Sequence, residues 1–256
     1  MIHILITNDD GVDAPGLLAL AQAMQTLGTI TIVAPDHNWS MCGHVKTLFT
    51  PLTVREVVLA DGITARSVSG APSDCVAMAL MGMLADKVDL VVSGINPYAN
   101  LGHDLTYSGT VTAAMEAVIH GVPAVAVSMD GPNHHFTGHV DYTTAAAAAR
   151  TVVTQVLRNG LPAETLLNVN APYVPLDELR GYQITRLGKR IYLDKLLPEV
   201  ADLSEYQLGG DPPLGEPEDG TDFGALAAGC VSITPVHLDM TAYHMTESLK
   251  GWTWGK

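Results

Sequence analysis

The feature that most limits the folds open to this chain is the alternation of short, unbroken apolar runs with stretches of helical periodicity. Ile2–Thr7 is apolar and β-branched, Ala14–Leu27 carries apolar residues at helical spacing behind Pro15, and Thr29–Ala34 is β-rich again, ending at Pro35. Further along, Ala71–Ala85 reads as a helix opened by Pro72-Ser73-Asp74 and Val88–Val92 as a buried strand. Gly109–His120 then reads as a helix closed by Gly121, and Val122–Met129 as another buried strand. Alanine-rich Asp141–Asn159 adds a helix and Leu166–Val169 a strand. Strands that are apolar on both sides must be covered on both faces, and parallel neighbours need helical crossovers. The pattern therefore predicts an α/β fold with a mostly parallel sheet and helices on both faces.

After Ala171-Pro172 the texture changes. Gly181–Leu187 alternates like a half-exposed strand, and Val231–Thr234 returns to strand. Gly209–Gly224, dense in Gly, Pro and acid, reads as a long loop with few packing contacts, part of an exposed Tyr206–Phe223 stretch. The tail from Ala242 to Trp254 is expected to dock on the body or on a partner chain. The reading divides the chain into a body, 1–172, and a C-terminal segment, 173–256, which can equally form one continuous domain.

Composition then narrows the partners. With 47% hydrophobic and 16% charged residues among 256, the chain buries a large core, and global disorder is excluded. The 27 acidic against 13 basic residues, a net charge of −14, argue against a surface built for polymeric nucleic acid or an anionic membrane. Cys42, Cys75 and Cys230 are widely spaced without a CxxC, as expected of reduced thiols. MIHILIT runs straight into a strand, and no apolar run is long enough to cross a bilayer, so a cytoplasmic protein is expected.

In a doubly wound sheet, ligands bind beyond the carboxyl ends of the strands where the strand order reverses. Asn8-Asp9-Asp10-Gly11, Asp36–Ser40 and Ser93-Gly94-Ile95-Asn96 all follow strands. Adjacent carboxylates repel, so Asp9 and Asp10 either form a solvated turn, for which Asp-Gly is a strong signal, or hold a cation between them. That segment alone leaves both open. Ser40 alone reads as a loop hydroxyl and Asn96 alone as an Asx-turn residue. Together with Asp9 and Asp10 they form a set of hard oxygen donors suited to Mg²⁺, Mn²⁺ or Ca²⁺. Ser108-Gly109-Thr110 opens a helix and serves either as an N-cap or as an anion site.

Other signals are weaker. Neither GxGxxG nor GxxxxGK[ST] is present. Asn133-His134-His135 with His139 fits no firm metal spacing and reads as an exposed loop. Lys46, Arg66, Arg186, Lys189 and Arg190 are scarce cations near polar loops, read mostly as surface charges, with Arg186–Arg190 a cluster able to orient a nucleotide.

The segments ILITNDDGVDAPGL, IVAPDHNWS, GAPSDCV, DLVVSGIN, NLGHD, YSGTVTAAMEA, LLNVNAP, TRLGKR and GTDFGALAAGCVSITPVHLDMT run in order through most of the chain. Together they resemble the SurE family, stationary-phase survival proteins that act as metal-dependent 5′/3′-nucleotidases. The resemblance implies a Rossmann-like body, a smaller C-terminal part with an extended hairpin, and a homodimer or homotetramer that exchanges C-terminal segments. It implies one divalent cation per subunit held by Asp9, Asp10, Ser40 and Asn96, with Asp9 and Asp10 catalytic. It also implies a phosphate site of Asn100, Ser108, Gly109 and Thr110, and hydrolysis of nucleoside monophosphates with exopolyphosphatase activity in some members. The chain departs from the family pattern in two places. Met41-Cys42-Gly43-His44 stand where a small Gly/Ser-rich loop is usual, and Pro97-Tyr98-Ala99 stand before the second Asn where a glycine is usual.

Overall fold

The computed structural model describes residues 1–132, 136–198 and 206–255. In chain order the elements are β1 (His3–Thr7), α1 (Pro15–Met24), β2 (Thr29–Pro35), β3 (Val54–Val58), β4 (Thr64–Val68), α2 (Pro72–Met78), β5 (Leu90–Asn96), α3 (Gly109–Ile119), β6 (Ala124–Asp130), α4 (Thr143–Asn159), β7 (Thr165–Pro172), β8 (Tyr182–Ile184), β9 (Arg190–Pro198), β10 (Tyr206–Gly215), α5 (Asp222–Ala227), β11 (Val231–His237) and α6 (Tyr243–Lys250).

Nine strands form one sheet in the order β3-β4-β2-β1-β5-β6-β7-β11-β8. From β4 to β7 every neighbouring pair is parallel; β3 on β4 and β11 on β7 are antiparallel. The chain lays β2 and β4 outward on one side of β1, then returns to place β5 on its other side and continues outward through β6 and β7. The order therefore reverses between β1 and β5.

β1 and β5 are buried along their whole length, which is why they read as unbroken apolar runs. On one face Leu17, Leu20 and Met24 of α1 pack with Ala145, Ala149 and Val153 of α4 over Ile4, Ile6 and Val92. On the other face Cys75 and Val76 of α2 and Val111, Ala114 and Ala117 of α3 pack over Leu5, Val33, Val91 and Ala126. Pro15 at the first turn of α1 and Ser108 as N-cap of α3, its Oγ accepting the Val111 N–H at 3.1 Å, set where two of these helices begin.

Three expectations are corrected. The stretch read as one helix to Ala85 ends as α2 at Met78 and passes into a π-turn at Ala79–Met83, where Gly82 takes a φ of 120° that stops regular helix. Tyr206–Phe223 is a loop only over residues 216–220. Tyr206–Gly215 is β10, antiparallel to β9, and Asp222 and Phe223 already belong to α5. The glycines and prolines that suggested a loop are what this ribbon requires. A Cβ at Gly210 would stand 2.3 Å from the Leu193 carbonyl, and Pro212-Pro213 occupy the bulge between Asp211 and Leu214, a place where a two-stranded ribbon tolerates missing donors. Finally, β3 and β4 were not anticipated, because VREVV and TARSV are partly exposed and carry charge.

β11 and β8, from beyond residue 172, extend the main sheet past β7, whereas β9–β10 form a separate two-stranded ribbon. His134 and His135 of the weak histidine tract lie outside the described residues. No helix among the described residues is long and apolar enough to cross a membrane.

Candidate active site

The carboxyl ends of β1 and β5, in register at Thr7 and Ser93, form the crevice at the reversal point. Asp9 lies there 3% exposed, and Asp10 beside it is half-buried. Asp9 faces the first turn of α3: the Thr110 hydroxyl donates to its Oδ1 at 2.6 Å. The approach is so close that a Cβ on Gly109 would stand 2.6 Å from Asp9 Cβ and 2.9 Å from Oδ2. Glycine at position 109 is thus a consequence of two elements meeting, and α3 presents its positive end to a carboxylate.

Burial raises the Asp9 pKa against the hydrogen bonds from the Thr110 side chain and from the backbone of Asp9, Thr110 and Gly109. Burial and then the charge of Asp9 push Asp10 up to about 7. A pair of acids held together in this way gains from any positive charge placed between them. Thr7 Oγ1, Asn8 Oδ1 and Ser93 Oγ are also buried at these strand ends without a hydrogen-bond partner. Among the described residues no three His, Cys, Asp or Glu side chains gather as a metal cluster. A cation here would therefore rest on two carboxylates and neutral oxygens, a donor set that suits a hard divalent ion.

The other candidate residues converge to different degrees. Ser40 is exposed, in a turn tied to both acids: Trp39 donates its N–H to the Asp9 carbonyl at 2.7 Å, and Asn38 links the Ser40 N–H, at 2.7 Å, to Asp10, at 3.5 Å. Asn96 ends β5, and its Nδ2 donates to the Tyr98 carbonyl at 2.5 Å, so Oδ1 is the side chain's remaining acceptor. Ser108 acts as the N-cap and keeps its own hydroxyl hydrogen for donation.

Asn100 sits inside a buried polar network. Its Nδ2 donates to Ser128 Oγ at 2.7 Å, its N–H to Asn170 Oδ1 at 2.8 Å, and its carbonyl accepts from Asn168 and Asn170 at 2.9 and 3.1 Å. Ser128, Asn168 and Asn170 were not singled out in the sequence. The available signal was three polar residues within otherwise apolar strands. Of the scarce cations, Arg186 pairs with Glu218, Arg190 with Asp104 and Lys46 with Glu116.

The segment 4–194 matches the sequence profile of the family described as Survival protein SurE. The chain belongs to the SurE family. Its relatives include proteins named 5′-nucleotidase SurE from Chloroflexus aggregans and Herpetosiphon aurantiacus. The first is 46% identical over 255 residues, 99% of this chain and 100% of that one; the second is 47% identical over 256 residues, 99% of each. Among solved structures, the SurE protein from Aquifex aeolicus superposes with a TM-score of 0.81 at 37% identity, covering 97% of this chain and 98% of that one. As in the expectation drawn from the sequence, the SurE fold here is a mostly parallel α/β sheet with a projecting hairpin, β9–β10.

Proposed function

We propose that this SurE-family chain is a divalent-cation-dependent phosphomonoesterase that hydrolyses nucleoside 5′-monophosphates, with 3′-monophosphates and polyphosphate as further substrates. The observation that carries the proposal is the meeting of Asp9, with Asp10 beside it, and the N-terminal turn of α3, where Thr110 reaches Asp9 at 2.6 Å. A paired carboxylate beside a helix N-terminus brings together the two things a phosphoryl group needs: a place for a cation and donors for its oxygens. The 5′-nucleotidase names of the close relatives support the same reading.

Asp9, Asp10, Ser40 and Asn96 would hold the cation, Mg²⁺ or Mn²⁺ with Ca²⁺ as a further option. When bound it supplies polarisation of a phosphoryl oxygen and a more acidic water. Asp9 or Asp10 orients the attacking water or takes its proton. Asn100, Ser108, Gly109 and Thr110 hold the phosphoryl oxygens, with the Ser108 hydroxyl and the first N–H groups of α3 facing the charge that grows on them. In the same proposal the protein is cytoplasmic and forms homodimers or homotetramers through exchanged C-terminal segments.

The test is phosphate release from 5′- and 3′-nucleoside monophosphates by metal-stripped protein with Mg²⁺ or Mn²⁺ restored, beside Asp9→Asn. Release that needs the ion and disappears in the variant is the expected result. A folded Asp9→Asn protein with near-normal turnover refutes the assignment.

A further inference from the structure

Glu116 is the one carboxylate on α3, and the proposed chemistry does not use it. It is 2% exposed, yet it carries three basic partners: His44 Nε2 at 3.0 Å on Oε2, with Lys46 Nζ at 2.7 Å and His120 Nε2 at 3.1 Å on Oε1. Burial alone would raise its pKa, but the hydrogen bonds from His44 and Lys46, the Lys46 charge and the His120 contact outweigh it and bring Glu116 to about 2. The carboxylate is thus ionised while enclosed, a state that persists only while its partners stay in place.

His44 and Lys46 belong to the loop in which this chain departs from the family pattern, and their attachment follows a single stripe of α3. Ser108, Thr112, Glu116 and His120 are spaced four apart and share one side of the helix. Gly43 donates its N–H to the Tyr107 carbonyl at 2.9 Å, and its own carbonyl accepts from Thr112 Oγ1 at 3.0 Å. One step further, Thr47 gives its N–H to Asp74 of α2 at 2.8 Å. At the near end, Trp39 is bonded to the Asp9 carbonyl, and Cys42 closes back on Trp39 at 3.2 Å. The turn that carries Ser40 is therefore held at one end by Asp9 and at the other by α3. Among these described contacts of residues 39–47, those to Glu116 are the ones that include a side-chain ion pair, Lys46 with Glu116.

We propose that Glu116 is a positioning residue: through His44 and Lys46 it fastens the 43–46 segment along α3 and so holds Ser40 over the Asp9–Asp10 pair. The inference rests on the reading of Asp9, Asp10 and Ser40 as a cation site. It predicts that loosening the far end of the loop weakens cation binding without touching a ligand, as supporting groups around metal sites do, at a cost of ~10-fold or more in affinity.

The experiment compares wild type with Glu116→Gln by Mn²⁺ titration, with manganese alone as probe, and by native tryptic digestion followed at the Lys46–Thr47 bond. The expected result is Mn²⁺ affinity about tenfold weaker in the variant, together with faster cleavage after Lys46 and unchanged cleavage after Arg150 on α4. Wild-type binding that the variant matches overturns the inference alone, whether or not the loop opens. A wild-type protein that takes no Mn²⁺ overturns the cation site and the inference with it. Faster cleavage at both bonds marks general loosening of the fold and also counts against a positioning role. Should Glu116→Gln not fold, His44→Gln, which leaves Lys46 on the carboxylate, gives the same comparison.

Discussion

Replacing Gly109 with alanine isolates the close approach of α3 to Asp9. Its backbone is helical, so alanine fits the conformation, and helix propensity favours the change by as much as ~1 kcal/mol. The obstacle is steric. The new Cβ would lie 2.6 Å from Asp9 Cβ, whereas ordinary contact begins at 3.4 Å. Asp9, 3% exposed, has to retreat by roughly 0.8 Å, stretching the 2.6 Å bond from Thr110; displacement of a reacting group by about 1 Å costs on the order of 10²-fold in rate. The expected protein melts within a few degrees of wild type yet loses about two orders of magnitude in kcat/KM for a nucleoside monophosphate. A folded Gly109→Ala variant within threefold of wild type would show that the contact between Asp9 and α3 is not part of the chemistry.

Two further predictions concern stability. Because the Glu116 pKa is depressed in the folded state, from 4.5 to about 2, its contribution is present above the unfolded value and is lost as pH falls through the folded one. The shift corresponds to about 3 kcal/mol, of which about 2 disappears between pH 6 and pH 3. Urea unfolding of wild type and Glu116→Gln across that range should therefore give curves that converge toward acid, and parallel curves would refute the assignment. Asp222, fully buried, accepts N–H bonds from Gly102 at 2.8 Å, Gly188 at 2.7 Å and Phe223 at 3.0 Å. Asp222→Ala leaves those donors unpaired and should cost about 3–5 kcal/mol in unfolding free energy, with a loss below 1 kcal/mol refuting the account.

Much of this was legible because strands buried on both faces advertise themselves. Ile2–Thr7 and Val88–Val92 could be placed from their apolar runs, and the polar residues that follow them, Asn8–Gly11 and Ser93–Asn96, marked the crevice. Asp9, Asp10, Ser108 and Thr110 were singled out from the sequence, and the structure brings Thr110 and Gly109 against Asp9. What stayed hidden depends on partners distant in sequence. Nothing near Glu116 announces that Lys46, seventy positions earlier, will neutralise it, and Asn170 looks like a strand interruption until Asn100 arrives to receive its amide. The residues of β10 alone read as a loop, because glycines and prolines are ordinary loop residues everywhere except beside a partner strand that needs them, whereas the family resemblance implied the hairpin they form with β9.

The reversal of strand order between β1 and β5 carries a consequence for how such a molecule can change. The remaining strands flank that seam, β3 and β4 closing one margin and β11 and β8 the other. The loops proposed to carry the chemistry follow the two strands at the seam, and the edge strands lie farthest from it. Lengthening, trimming or re-edging the sheet at either margin leaves the seam's register intact, so assembly and stability can be altered there without displacing the proposed site.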